Sequence, residues 1–309
     1  MNRLLPLASV AALFAIACDP APEEPGAAED YSWVLPDSRI LVDMPEARRS
    51  AGDDSELRAE SLSVAADVNG FIDDVLTDIG AITEFEPTWG NEEETQALWG
   101  PWTDNGVDGA LYIQLMDDGS YEWALIGRPE GTDDDAWLPL VAGIVDPGAT
   151  DTTGAGAFAV DFAAISTLDP NLDATGTFAS TYDVRANTVD AEAAYEGFSE
   201  NAGDPVIDAV YRYGNDNAGG YLDLAYEGEA TDGGALETHI MRTRWVKGGA
   251  GRADAYVTGG DLGPLVYQAS ECWDEGGIVV FDENNYELTT SGNVDDCAFA
   301  DAQWNDDGV

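Results

Sequence analysis

The sequence predicts a mainly β protein: one large curved antiparallel meander sheet, a half-barrel or incomplete barrel, with a single amphipathic α-helix packed on it. Three observations lead there. Only residues 60–80 carry apolar side chains at three- and four-residue spacing. After residue 80 the apolar period is two, interrupted by Gly- and Asp-rich turns. No helical segment separates the later strands, so parallel βαβ units are ruled out and sequential hairpins remain.

Arg3 precedes a thirteen-residue apolar run, Leu4 to Ile16, the length of a signal-peptide core and too short for a membrane-spanning helix. It ends in Ala15-Ile16-Ala17-Cys18, which resembles the lipobox of bacterial lipoproteins, whose cysteine takes a diacylglyceryl group and becomes the mature N-terminus. The resemblance implies a signal peptide over 1–17 and lipid attachment at Cys18. The usual leucine three places before the cysteine is replaced by Ala15, and Ala15-x-Ala17 also fits ordinary signal cleavage, which would release a soluble product. An unpaired exported thiol is uncommon, and a spacer follows, so the lipidated reading is preferred. That spacer, DPAPEEPGAAED (19–30), has three prolines and no large apolar side chain, and cannot offset its ordering entropy by burial. Residues 18–54 therefore read as lipidated cysteine, flexible tether and initial extended segment, and 55–309 as one β-rich domain.

Within that domain, ESLSVAADVNGFIDDVLTDIG (60–80) places Val64, Val68, Phe71, Ile72, Val75, Leu76 and Ile79 on one stripe, with Gly80 as the expected stop. Its other face is acidic, so the stripe is expected against a sheet rather than on a membrane. Asp118-Gly119 is a two-residue hairpin turn inside LYIQLMDDGSYEWALIGR (111–128). Strands are expected near 136–145, 156–165, 177–184, 189–198, 206–213, 221–229, 237–247, 252–258, 264–272 and 278–281, making a meander over 85–281. Opposing Asp223 to Arg244 puts Leu222 beside Trp245 and Tyr226 beside Met241, leaving one apolar and one charged face. Cys272 and Cys297 form an even pair in an exported chain and are expected as a disulfide tying down the C-terminal tail.

Composition bounds the partners. Sixty-one acidic against 12 basic residues give a net charge of −49, which disfavours nucleic acid and direct docking on anionic headgroups. Lys247 is the only lysine. A saline exterior and a GC-rich genome both account for that, but only the first accounts for the excess of Asp.

The stretches DGSYEWALIGRP (118–129), GAGAFAVDFAAISTLDP (154–170), SECWD (270–274) and DDCAFAD (295–301) are similar to uncharacterised envelope lipoproteins of bacteria. They comprise a turn, a strand with its exit and the cysteine pair, so the resemblance implies architecture and address without an activity.

Catalytic chemistry is sparse. His239 is the sole histidine and shares a strand face with Met241 and Trp245, which suits a half-buried structural role; no nucleophile-elbow sequence accompanies it. Two cysteines and one histidine cannot make a conventional zinc site, and KGGAGR (247–252) has no phosphate-loop pattern. The acidic turns at 117–118, 133–135, 215–217 and 295–296 lack EF-hand spacing and read as solvated turns. Arg242, Arg244, Lys247 and Arg252 gather within eleven residues and are expected to pair across strands with Asp223 and Glu227. No cofactor, metal ligand or catalytic residue is assigned. The expected function is that of a membrane-anchored, non-enzymatic interaction or structural protein of the envelope, touching the membrane through its lipid and possessing an envelope protein partner. The alternatives are a carrier of a lipid or other apolar ligand in a concave sheet, and an extracytoplasmic hydrolase.

Overall fold

The computed structural model describes residues 31, 34–35, 40–45, 54–91, 95–148, 153–229 and 234–304. Cys18 and the expected signal peptide lie outside the described residues.

Among the described residues, fifteen strands form one antiparallel sheet in strict sequence order, so each pairs with the next: β1 (Trp89–Gly90), β2 (Gln96–Asp104), β3 (Val107–Leu115), β4 (Tyr121–Pro129), β5 (Leu138–Pro147), β6 (Gly154–Asp161), β7 (Thr175–Val184), β8 (Val189–Ser199), β9 (Ile207–Asn215), β10 (Gly219–Glu229), β11 (Leu236–Val246), β12 (Gly251–Gly259), β13 (Val266–Trp273), β14 (Val279–Asn284) and β15 (Thr289–Gly292). The sheet does not close. Its edges are two and four residues long, which leaves few unpaired backbone groups for edge-to-edge association. The sheet starts within the expected span of 85–281 and passes its C-terminal end, because β15 carries too little alternation to be seen in the sequence; β1 and β2 lie inside the span as strands not individually expected.

One helix, α1 (Glu56–Thr83), crosses the inner face. Ser55 caps it, accepting from the Arg58 N–H at 3.1 Å while its hydroxyl donates to Glu271 on β13 at 2.6 Å. Six residues on, the hydroxyls of Ser61 and Thr243 on β11 lie 2.6 Å apart. Phe71 then meets Phe178 on β7, ring centroids 4.8 Å apart. From Ser55 to Phe71 the helix rises about 24 Å, while the six strand spacings from β13 to β7 amount to about 29 Å. The helix axis thus runs close to perpendicular to the strands, and the sheet curls around it. All seven stripe residues join the main core with Trp99, Leu111, Ile113, Trp123, Phe158 and Phe178. The helix continues past Gly80, the expected stop, because Ile82 also packs on that core and Thr83 closes the last turn by donating to the Gly80 carbonyl at 2.8 Å.

The segment expected as a strand over 156–165 is strand only to Asp161, whose carboxylate then caps a short helix, α2 (Phe162–Leu168), by accepting from the Ala164 N–H at 2.9 Å. Phe162 turns inward to stack on Tyr195. Before α1, the described part of the extended segment contributes to the core: Tyr31, Val34, Leu35 and Ile40 are buried there.

Candidate functional site

The two sheet faces differ in kind. The inner face is covered by α1, and among the described residues a cavity between Val68, Ile72 and Tyr211 measures about 20 Å³, room for about one water. The outer face carries three rows of directly paired residues. One runs Ala124, Ala142, Ala159, Ala179, Ala194, Val210, Ala225, Ile240, almost all small and apolar. The next alternates in charge, Glu192, Arg212, Asp223, Arg242, Asp254, with Ser270 after it. The third runs Asp190, Gly214, Tyr221, Arg244, Arg252, Cys272. The rows follow from period two: residues i and i+2 share a face, so Arg252 and Asp254, or Arg242 and Arg244, stand side by side.

Asp254 and Arg252 are both 1 % exposed and form the centre of a buried network. Asp254 accepts from Arg252 Nε at 2.7 Å, from Arg244 Nη2 at 2.9 Å and from the Ser270 hydroxyl. Arg252 also donates to Ser270 Oγ at 3.0 Å and to the carbonyls of Phe299 and Ala300 at 3.3 and 2.9 Å. Arg244 donates to the Asp301 carbonyl at 2.9 Å and lies over the Phe299 ring at 5.2 Å. The Gln303 N–H returns to Asp254 at 3.0 Å. Residues 297–303 are therefore a strap lying back across β13, β12 and β11. Cys297, at its root, is at disulfide distance from Cys272, with Cα atoms 5.5 Å apart.

The expected pairing of the basic cluster is thereby corrected. The register of β10 and β11 is two residues away from the expected one, with Asp223 opposite Arg242, Leu222 opposite Thr243 and Tyr226 opposite His239. An even slip keeps every side chain on its expected face. It frees Arg244 to pair with Asp254, a residue the sequence reading passed over although its i+2 spacing from Arg252 marked it as a neighbour. Asp223 accepts no hydrogen bond among the described residues; burial raises its pKa against the pull of Arg242, Arg244 and Arg212.

Beside the strap the outer face opens into a groove of about 640 Å³ over the ends of β8 to β11. Gly214, Gly219 and Gly220 lower its floor, and the Tyr221 ring lies where a Cβ on Gly214 would stand. Arg212, held by Glu192 at 2.8 Å, and Arg244 line it together with Asp190, Asp216 and Asp223. Phe299 and Gln303 of the strap complete a wall.

His239 is half-buried as expected and stacks flat on Tyr226 at 4.7 Å; burial lowers its pKa. Among the described residues, no group of three or more His, Cys, Asp or Glu side chains is placed to hold a metal ion, and no helix is long and apolar enough to cross a membrane. In the 117–118 turn, Asp118 accepts from the Ser120 N–H and hydroxyl, which lowers its pKa. No family model, curated protein or solved structure matches the chain.

Proposed function

We propose that this chain is a lipid-anchored, non-enzymatic protein of the bacterial cell envelope that presents the outer face of its sheet to other envelope components. The observation that carries this reading is the covered inner face: a carrier needs an open apolar concavity, and among the described residues the cavity there measures about 20 Å³. The anchored address rests on the apolar run ending at Cys18 and the Pro-rich spacer behind it. The non-enzymatic part rests on the sequence, in which His239 is the sole histidine and no nucleophile-elbow pattern accompanies it. Intact-mass analysis of the exported N-terminus tests the anchor: a diacylglyceryl-modified Cys18, lost from the membrane fraction in Cys18→Ser, is expected. An unmodified Cys18 in a soluble product overturns it. Native mass spectrometry tests the role, since one lipid per chain in both the anchored protein and Cys18→Ser would make the chain a carrier instead.

A further inference from the structure

The outer groove brings both signs of charge beside aromatic rings. In a chain of net charge −49, its lining side chains mix three carboxylates, Asp190, Asp216 and Asp223, with two guanidinium groups, Arg212 and Arg244. An anion would meet the carboxylates and the field of the whole molecule; a cation would meet the two arginines. Neither sign of ligand is favoured. What the groove does offer is hydrogen-bonding capacity of both kinds at close range. The carboxylate of Asp223 receives no donor among the described residues, and Arg244 makes its hydrogen bonds to Asp254 and the Asp301 carbonyl through Nη2, leaving Nη1. Arg212 spends its Nε on Glu192, which fixes the guanidinium while its other nitrogens remain.

Alongside these groups is a flat apolar surface. Tyr221 is laid down over Gly214 and is 37 % exposed, so one ring face rests on the sheet and the other meets the groove. Phe299 also lines the groove, held there by the Asp254 network and the Cys272–Cys297 link. The groove's volume of about 640 Å³ falls in the range of small-ligand sites, about 300–1,000 Å³.

We propose that this groove binds a neutral glycan segment, with a sugar ring laid on Tyr221 and its hydroxyls bridging Asp223, Arg212 and Arg244. A hydroxyl is both donor and acceptor, so neighbouring hydroxyls of one ring can serve a carboxylate and a guanidinium together, while the C–H face of the ring covers the aromatic surface. A singly charged ligand would pair with one sign of these groups and leave the other unpaired, whereas hydroxyls serve both. The proposal is independent of how the chain is anchored.

Calorimetric titration of the full-length protein in detergent with chitotetraose, cellotetraose and maltotetraose tests it, with tetralysine and inorganic phosphate as charged controls. At least one neutral saccharide is expected to bind with Kd on the order of 1 mM or tighter. Tyr221→Ala and, separately, Asp223→Ala should each weaken binding about tenfold while the melting curve stays cooperative. Absence of binding by all three saccharides at about 10 mM overturns the proposal. So does binding of a charged probe in their place, or saccharide binding that both substitutions leave unchanged.

Discussion

Asp254→Ala removes the one acidic partner at the centre of the strap network. In the native fold its two oxygens serve Arg252 Nε at 2.7 Å, Arg244 Nη2 at 2.9 Å, the Ser270 hydroxyl and the Gln303 N–H at 3.0 Å. Arg252 is 1 % exposed, so after the substitution a full positive charge stays buried with only neutral acceptors, Ser270 Oγ and two strap carbonyls. Stranding one member of a buried pair costs about 3–5 kcal/mol. At about 2–4 °C per kcal/mol for a chain of this size, Tm falls by roughly 10 °C. Arg252→Ala is milder, because Asp254 keeps Arg244 as a counter-charge. The double variant should cost less than the sum of the singles by at least about 1.5 kcal/mol, the mark of a direct coupling. Urea unfolding followed by tryptophan fluorescence measures all three. An Asp254→Ala variant within about 1 kcal/mol of the native protein, or strictly additive singles, would refute the assignment of Asp254 as the network's centre.

Three further outcomes are expected. Cys297→Ser should cost about 3 kcal/mol through the freed loop of 25 residues and loosen the strap, read as faster amide exchange at Gln303; non-reducing peptide mapping of the native protein should find Cys272 linked to Cys297. Burial raises Tyr211 to about 12 from an ordinary value of 10.0, so its neutral form stabilises the fold below pH 10, and that contribution is lost as pH rises from 10 towards 12. Tyr211→Phe should therefore flatten the stability curve in that window by on the order of 2 kcal/mol, and an unchanged slope counts against burial as the cause. Self-repulsion at a net charge of −49 should ease with salt, raising Tm between about 10 mM and 1 M NaCl as the Debye length falls from about 30 to 3 Å. A flat profile would rule out screened self-repulsion as a determinant of stability.

The fold was legible where period decided it. The stripe from Val64 to Ile79 could be satisfied only by a helix face, and the alternation in 221–229 and 237–247 fixed which residues face outward. Register was less constrained: a slip of two preserves both faces, so hydrophobic pattern alone could not choose between Arg244 and Arg242 as the partner of Asp223. Phe162 shows a different limit, since its place in the alternation was read as strand while Asp161 supplied the cap that starts α2. The groove was illegible for a further reason. Its parts come from four strands and a tail, and the tail's carbonyls act through backbone atoms that no side-chain pattern records.

The transverse helix also sets the order in which the domain can become stable. Every strand pairs only with its neighbour in the chain, so the hairpins can form locally and early. The helix is different: Ser61 reaches Thr243 across 182 residues and Ser55 reaches Glu271 across 216. Emerging first, α1 has no complete surface to lie on until nearly the whole sheet has been made. Until β11 to β13 arrive, the aromatic inner face and the apolar stripe are only partly matched, which exposes both to association with other chains. Chains ending before β13 should therefore retain hairpins yet fail to hold the start of the helix, making the last strands the latch that converts a ribbon into a domain.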